Sequence, residues 1–168
     1  MKSLNAKKIT VLSLMISVGI VLQIAEGMLS AFIIPGGKLG VANIVTVGTL
    51  FYLGGGGGIL VALLRSTLGS LLYGGVSAIP YSVGGAVVSA LSMWGCKKLF
   101  YPKLSVVGIS VVGAFFHNLT QIVVASVIFG SLSLFSYLPV LTVLGTVGGV
   151  ITGYGAKIFC SKTGLIKK

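Results

Sequence analysis

The segment LSVVGISVVGAFFHNLTQIVVASVIF, Leu104 to Phe129, sets the reading of the whole chain. It runs 26 residues without a Lys, Arg, Asp or Glu. A hydrocarbon core of about 30 Å takes about 20 mostly apolar helical residues per crossing. The segment therefore predicts a membrane-spanning helix. Five further apolar runs lie around it. The predicted spans are 9–28, 39–55, 57–74, 79–97, 104–130 and 137–159. They make one integral membrane domain over residues 1–168: an all-α membrane protein, a bundle of about six transmembrane helices. The second span is short. The first has a basic start and small residues near Glu26, as a signal peptide would. Its apolar run exceeds a typical signal core, so it is read as an uncleaved helix.

Breakers separate the spans. They are Pro35-Gly36-Gly37, the glycines 54–58, Gly74-Gly75 with Pro80, Tyr101-Pro102 and the segment 130–136. Gly and Pro supply turn geometry and stop helices.

Composition agrees. Hydrophobic residues are 55% of the 168, and charged residues only 8%. An ordinary water-soluble domain carries about a quarter charged residues. Lys plus Arg number 12 against a single acid, Glu26. That basic excess is not a nucleic-acid stripe, because the lysines sit at the ends of apolar runs. With six spans, Lys2, Lys7, Lys8, Lys97, Lys98, Lys103, Lys157, Lys162, Lys167 and Lys168 fall on one side. Only Lys38 falls on the other. Lysines collect on the cytoplasmic side of membrane proteins, so both termini are expected in the cytoplasm. Cys96 and Cys160 then face a reducing compartment and are expected to be free thiols.

The few polar residues at membrane depth carry the functional signal. An Arg at the bilayer centre costs roughly 2.5–3.5 kcal/mol on insertion scales. Arg65 lies mid-span, so something must offset that cost. A Glu26–Arg65 ion pair is one solution; a ligand held by Arg65 is the other. In span five, His117, Asn118 and Gln121 share a helical face. They predict either interhelical hydrogen bonds or a cavity lining. Arg65 and His117 fall near mid-membrane, Gln121 slightly outside it, and Glu26, Lys38 and Asn43 near the outer face. Together these seven residues suit an outward-facing cavity for an anionic or amide-rich small molecule. No catalytic residue is assigned, since no Ser, Asp or Cys partner accompanies His117. One His apart from both Cys makes no metal site, and no cofactor is expected. The chain also lacks Asp, so it has no carboxylate pair for Mg²⁺-diphosphate. Gly145, Gly149 and Gly153 recur at the spacing that lets helices approach closely. A short ungapped repeat lays Leu63–Gly74 over Leu119–Gly130, with Arg65 meeting Gln121.

Read in order, these elements resemble a known family. They are Glu26, Pro35-Gly36-Gly37-Lys38-Leu39-Gly40-Val41-Ala42-Asn43, Leu64-Arg65, Gly69-Ser70-Leu71-Leu72-Tyr73-Gly74, Ser82 with Gly84-Gly85-Ala86 and Ser89, Gly113-Ala114 with His117-Asn118 and Gln121, and Tyr137-Leu138-Pro139. The pattern resembles the Gx transporter family, often named heptaprenyl diphosphate synthase component I. That family is similar to the substrate-binding membrane subunits of energy-coupling-factor transporters. The resemblance implies six helices and an outward-facing ligand pocket in a bacterial plasma membrane. It also implies a transmembrane coupling protein and ATPases as partners. Such subunits carry an Ala-xxx-Ala docking motif on the first helix; the nearest equivalent here is Ser13-xxx-Ser17. The family name offers a second reading, a nonenzymatic membrane subunit serving isoprenoid quinone synthesis or flavin-linked electron transfer. A third, a prenyl diphosphate enzyme, is excluded for the chain alone by its lack of Asp. The expected surroundings are membrane lipid, with no nucleic acid.

Overall fold

The computed structural model describes residues 6–33 and 40–163. Every described element is helical: α1 (Ala6–Ile33), α2 (Asn43–Tyr52), α3 (Gly55–Gly69), α4 (Ile79–Phe100), α5 (Val106–Phe129) and α6 (Leu138–Lys162). A π-helical turn, Ser70–Gly74, extends α3. Five of these helices are long and apolar enough to cross a membrane. The protein is thus an all-α, multi-pass membrane bundle.

Local chemistry sets the ends. Ser105 caps α5 by accepting from the Gly108 N–H at 3.1 Å, as N-cap hydroxyls do. Gly130 ends α5 in the left-handed region, at φ 62°, where glycine meets no Cβ penalty. Proline occupies the first turns of α4 and α6, where its missing N–H costs nothing.

α2 departs from expectation. A 39–55 span was predicted, and the helix is only ten residues, about 15 Å long. That length covers about half of a hydrocarbon core of about 30 Å. Seven of its ten residues are buried. Val47 and Leu50 pack with Met93, Val106, Ile109 and Ala156, while Val45 packs with Leu12 and Val61. An apolar run this short is more often a buried or re-entrant segment than a span. The glycine run also differs. Gly55–Gly58 form the first turn of α3, leaving Leu53-Gly54 as the connection.

Close contacts give the helix directions. Gly19 lies against Arg65 and Gly27 against Tyr73, so α1 and α3 run parallel. Gly48 lies against Phe159 and Gly155 against Ile44, so α2 and α6 run parallel. Gly55 at the start of α3 meets Trp94 near the end of α4. Gly113 meets Met93 and Gly85 meets His117, so α4 and α5 are antiparallel. The first described residues of α1 and the last of α6 therefore share one end of the bundle. All described lysines lie toward that end. Lys2, Lys38, Lys167 and Lys168 lie outside the described residues.

α5 and α6 approach most closely. A Cβ on Gly149 would fall 2.8 Å from the Val111 Cα, and one on Gly153 would fall 2.6 Å from the Val107 Cα. Ser110 and Thr152 share a 2.7 Å hydrogen bond across this contact. The glycine spacing of span six is thus a packing device. Both cysteines are free.

Candidate functional site

The polar side chains of the interior converge at the N-terminal end of α2. Arg65, on α3, is 3% exposed. Its Nε donates to the Thr46 hydroxyl at 3.1 Å. One terminal nitrogen donates to Gln23 Oε1 at 3.1 Å, and the other to Asn43 Oδ1 at 2.5 Å. These three acceptors are neutral. α1 comes close enough to supply Gln23 because Gly19 has no side chain; a Cβ there would fall 2.8 Å from the Arg65 Cδ.

Gln23 joins three helices. Its Oε1 accepts from Arg65, and its Nε2 reaches the Ser70 hydroxyl at 3.4 Å and the Ser82 hydroxyl at 3.3 Å. Ser70 opens the π-helical turn, a distortion found frequently at functional sites.

Glu26 lies one turn beyond Gln23 and is 8% exposed. Its carboxylate accepts from the backbone N–H of Gly40 and from that of Ala42, the latter at 3.4 Å. Ala42 is the N-cap of α2 and makes no side-chain capping bond. The carboxylate therefore satisfies N–H groups where the helix dipole is positive. Of the two solutions open for Arg65, a direct Glu26–Arg65 ion pair does not form among the described residues. The α2 backbone takes the carboxylate instead, and neutral oxygens take the guanidinium.

These groups border a partly open cavity of about 20 Å³, lined by Gln23, Glu26, Gly40, Ala42, Asn43, Arg65, Ser82 and His117. That is room for about one water. His117 comes from α5 and is buried; the absence of a side chain at Gly85 admits its ring.

Of the seven residues singled out in the sequence, Glu26, Asn43, Arg65 and His117 meet here. Asn43 lies beside Arg65 rather than near the outer face, because α2 begins deep in the bundle. Asn118 faces α6, donating to the Leu141 carbonyl at 2.6 Å. Gln121 is half-buried and outside the lining. Lys38 lies outside the described residues. Gln23, Thr46 and Ser82 are additional members. Ser82 already stood in the family pattern, and the signal for Gln23 was a Gln within an apolar helix, three residues before the only acid. No group of three or more metal-ligating side chains occurs among the described residues.

The arrangement can hold an oxyanion or a hydrogen-bonding group. The model of the family described as Heptaprenyl diphosphate synthase component I matches residues 15–159. No curated protein and no solved structure matches the chain.

Proposed function

The chain belongs to the heptaprenyl diphosphate synthase component I family, and from that premise we propose that it is a nonenzymatic membrane subunit that binds a small molecule at Arg65. The observation that carries this reading is the contact set of Arg65. A buried guanidinium in a membrane helix is bonded only to neutral oxygens, at the wall of a cavity. Ionisable residues within membrane helices mark ligand or ion sites by default. A guanidinium fits a carboxylate or phosphate better than it fits lone amide oxygens.

On this reading the protein is the substrate-binding subunit of a small-molecule transporter. Arg65 takes an acidic group of the ligand. His117 and Asn43 supply hydrogen bonds, and Glu26 holds the N-terminal end of α2. Asn118 and Gln121 act in the helix framework. Both termini lie in the cytoplasm of a bacterial plasma membrane, and a separate coupling protein with ATPases drives the cycle. A cavity for a small-molecule ligand spans about 300–1,000 Å³, so α2 must shift at its N-terminal end to admit one. Native mass spectrometry of the gently solubilised protein tests this. A bound small molecule is expected, and Arg65→Ala should lose it. Retention of the same molecule by Arg65→Ala refutes the assignment.

The family name favours a second reading, a subunit that works with a catalytic synthase component. Co-purification with such a component, without a bound solute, selects it. Prenyl transfer by the purified chain alone with Mg²⁺ refutes both nonenzymatic readings.

A further inference from the structure

Glu26 occupies the place that an oxyanion would take. Its carboxylate accepts two backbone N–H groups at the start of α2, in a cavity that Arg65 also lines. Both side chains are more than nine-tenths buried. We infer that Glu26 is an internal substitute for the ligand's anionic group, and that the two exchange. An incoming carboxylate or phosphate takes the Gly40 and Ala42 N–H groups beside Arg65. Glu26 leaves them as the neutral acid, having taken one proton from water. This inference rests on the reading of Arg65 as the anion-recognising residue.

Charge balance requires the proton. Among the described residues, the cavity lining carries one guanidinium and one carboxylate. Adding a second anion without a proton leaves two like charges against one cation in a medium that solvates them poorly. A carboxylate stripped of its N–H partners and kept buried is costly, and it neutralises instead. With protonation, the cavity carries the same net charge before and after exchange for a singly charged ligand group. The titratable groups around Glu26 are few. Arg65 comes from α3, His117 from α5, and Tyr73, at the end of the π-helical turn, packs beside Gly27. α2 and α4 contribute only neutral Asn43, Thr46 and Ser82. Among the described residues, His117 is thus the competing proton acceptor.

The test measures thermal stabilisation of the full chain in nanodiscs by acetate and by inorganic phosphate, at constant ionic strength, across pH. A singly charged anion that binds with one proton loses affinity about tenfold per unit rise in pH. The wild type should show this slope with acetate. Glu26→Gln should bind the same anion more tightly, with no slope. His117→Asn should keep the wild-type slope. Preference for phosphate over acetate, or the reverse, identifies the ligand's head group. A pH-independent affinity in the wild type, unchanged in Glu26→Gln, overturns the exchange and leaves the Arg65 site standing. A slope that survives in Glu26→Gln and disappears in His117→Asn assigns the proton to His117 and overturns the role given to Glu26. If neither anion stabilises the wild type or Glu26→Gln, the anion site itself is refuted. Glu26→Gln keeps the size of the side chain, and Glu26→Ala is the second variant. Its vacated space should make acetate restore stability, and an absence of such rescue counts against the inference.

Discussion

Replacing Gln23 with Leu keeps the volume of the side chain and removes its polar end. Three contacts go: Arg65 to Oε1 at 3.1 Å, and Nε2 to Ser82 and Ser70 at 3.3 and 3.4 Å. The first is a charged hydrogen bond, about 1.5–3 kcal/mol in soluble proteins. Interhelical bonds measured in a membrane protein average about 0.6 kcal/mol and reach about 1.7 kcal/mol. The Arg65 contact belongs near that upper figure, because its loss leaves a buried cationic N–H without its acceptor. The two Nε2 contacts exceed the usual 2.7–3.2 Å range for such bonds, so together they amount to about one average bond. Gln23→Leu should therefore destabilise the fold by about 2 kcal/mol. Reversible unfolding in mixed detergent micelles measures this directly. A double-mutant cycle with Ser82→Ala should show coupling, since the two side chains touch. A loss below about 0.5 kcal/mol, typical of a change at an uninvolved surface position, would show that Gln23 does not hold Arg65 in place.

Other changes separate framework from site. Gly149→Val places a side chain where a Cβ already falls 2.8 Å from the Val111 backbone; it should cost more than about 3 kcal/mol as overpacking, read as loss of the folded peak in size-exclusion chromatography. Gly95→Ala meets nothing within 4 Å in mid-α4, so it should stabilise by about 0.4–1 kcal/mol in the same unfolding assay. Lys97→Met removes a 2.9 Å bond to the Leu50 carbonyl at the end of α2 and a cation–π contact with Phe51; about 1–2 kcal/mol should be lost in that assay. Asn118→Ala breaks the bond to Leu141 and should lower stability by about 1 kcal/mol, while native mass spectrometry shows bound solute unchanged.

Helix number and the interior polar residues Glu26, Asn43, Arg65 and His117 were legible in the sequence. They follow from the rarity of charge and amide groups in apolar helices. The enclosure of α2 was less legible. Hydropathy reports how apolar a run is, not whether lipid or protein surrounds it, and Val41–Leu53 is apolar either way. The partner of Glu26 was illegible for a related reason. Side-chain charges can be read from sequence, whereas the N–H groups of Gly40 and Ala42 become a partner for Glu26 only once α2 starts beside it. The stripe of His117, Asn118 and Gln121 did share a helix, but three residues on one broad face can meet three different neighbours. Gln23 escaped notice because a single Gln in a long apolar helix carries no spacing pattern.

The enclosure of α2 also bears on how the chain is made. This helix leaves the ribosome well before α6, yet α6 supplies part of its wall: Gly155 lies against Ile44 and Phe159 against Gly48. Until α6 arrives, that face of a helix about 15 Å long, carrying Asn43, Thr46 and Thr49, has no protein to cover it. Membrane insertion therefore cannot finish the structure in the order of synthesis. α6 closes the bundle around α2, and a nascent chain stopped before α6 would hold α2 only half-housed.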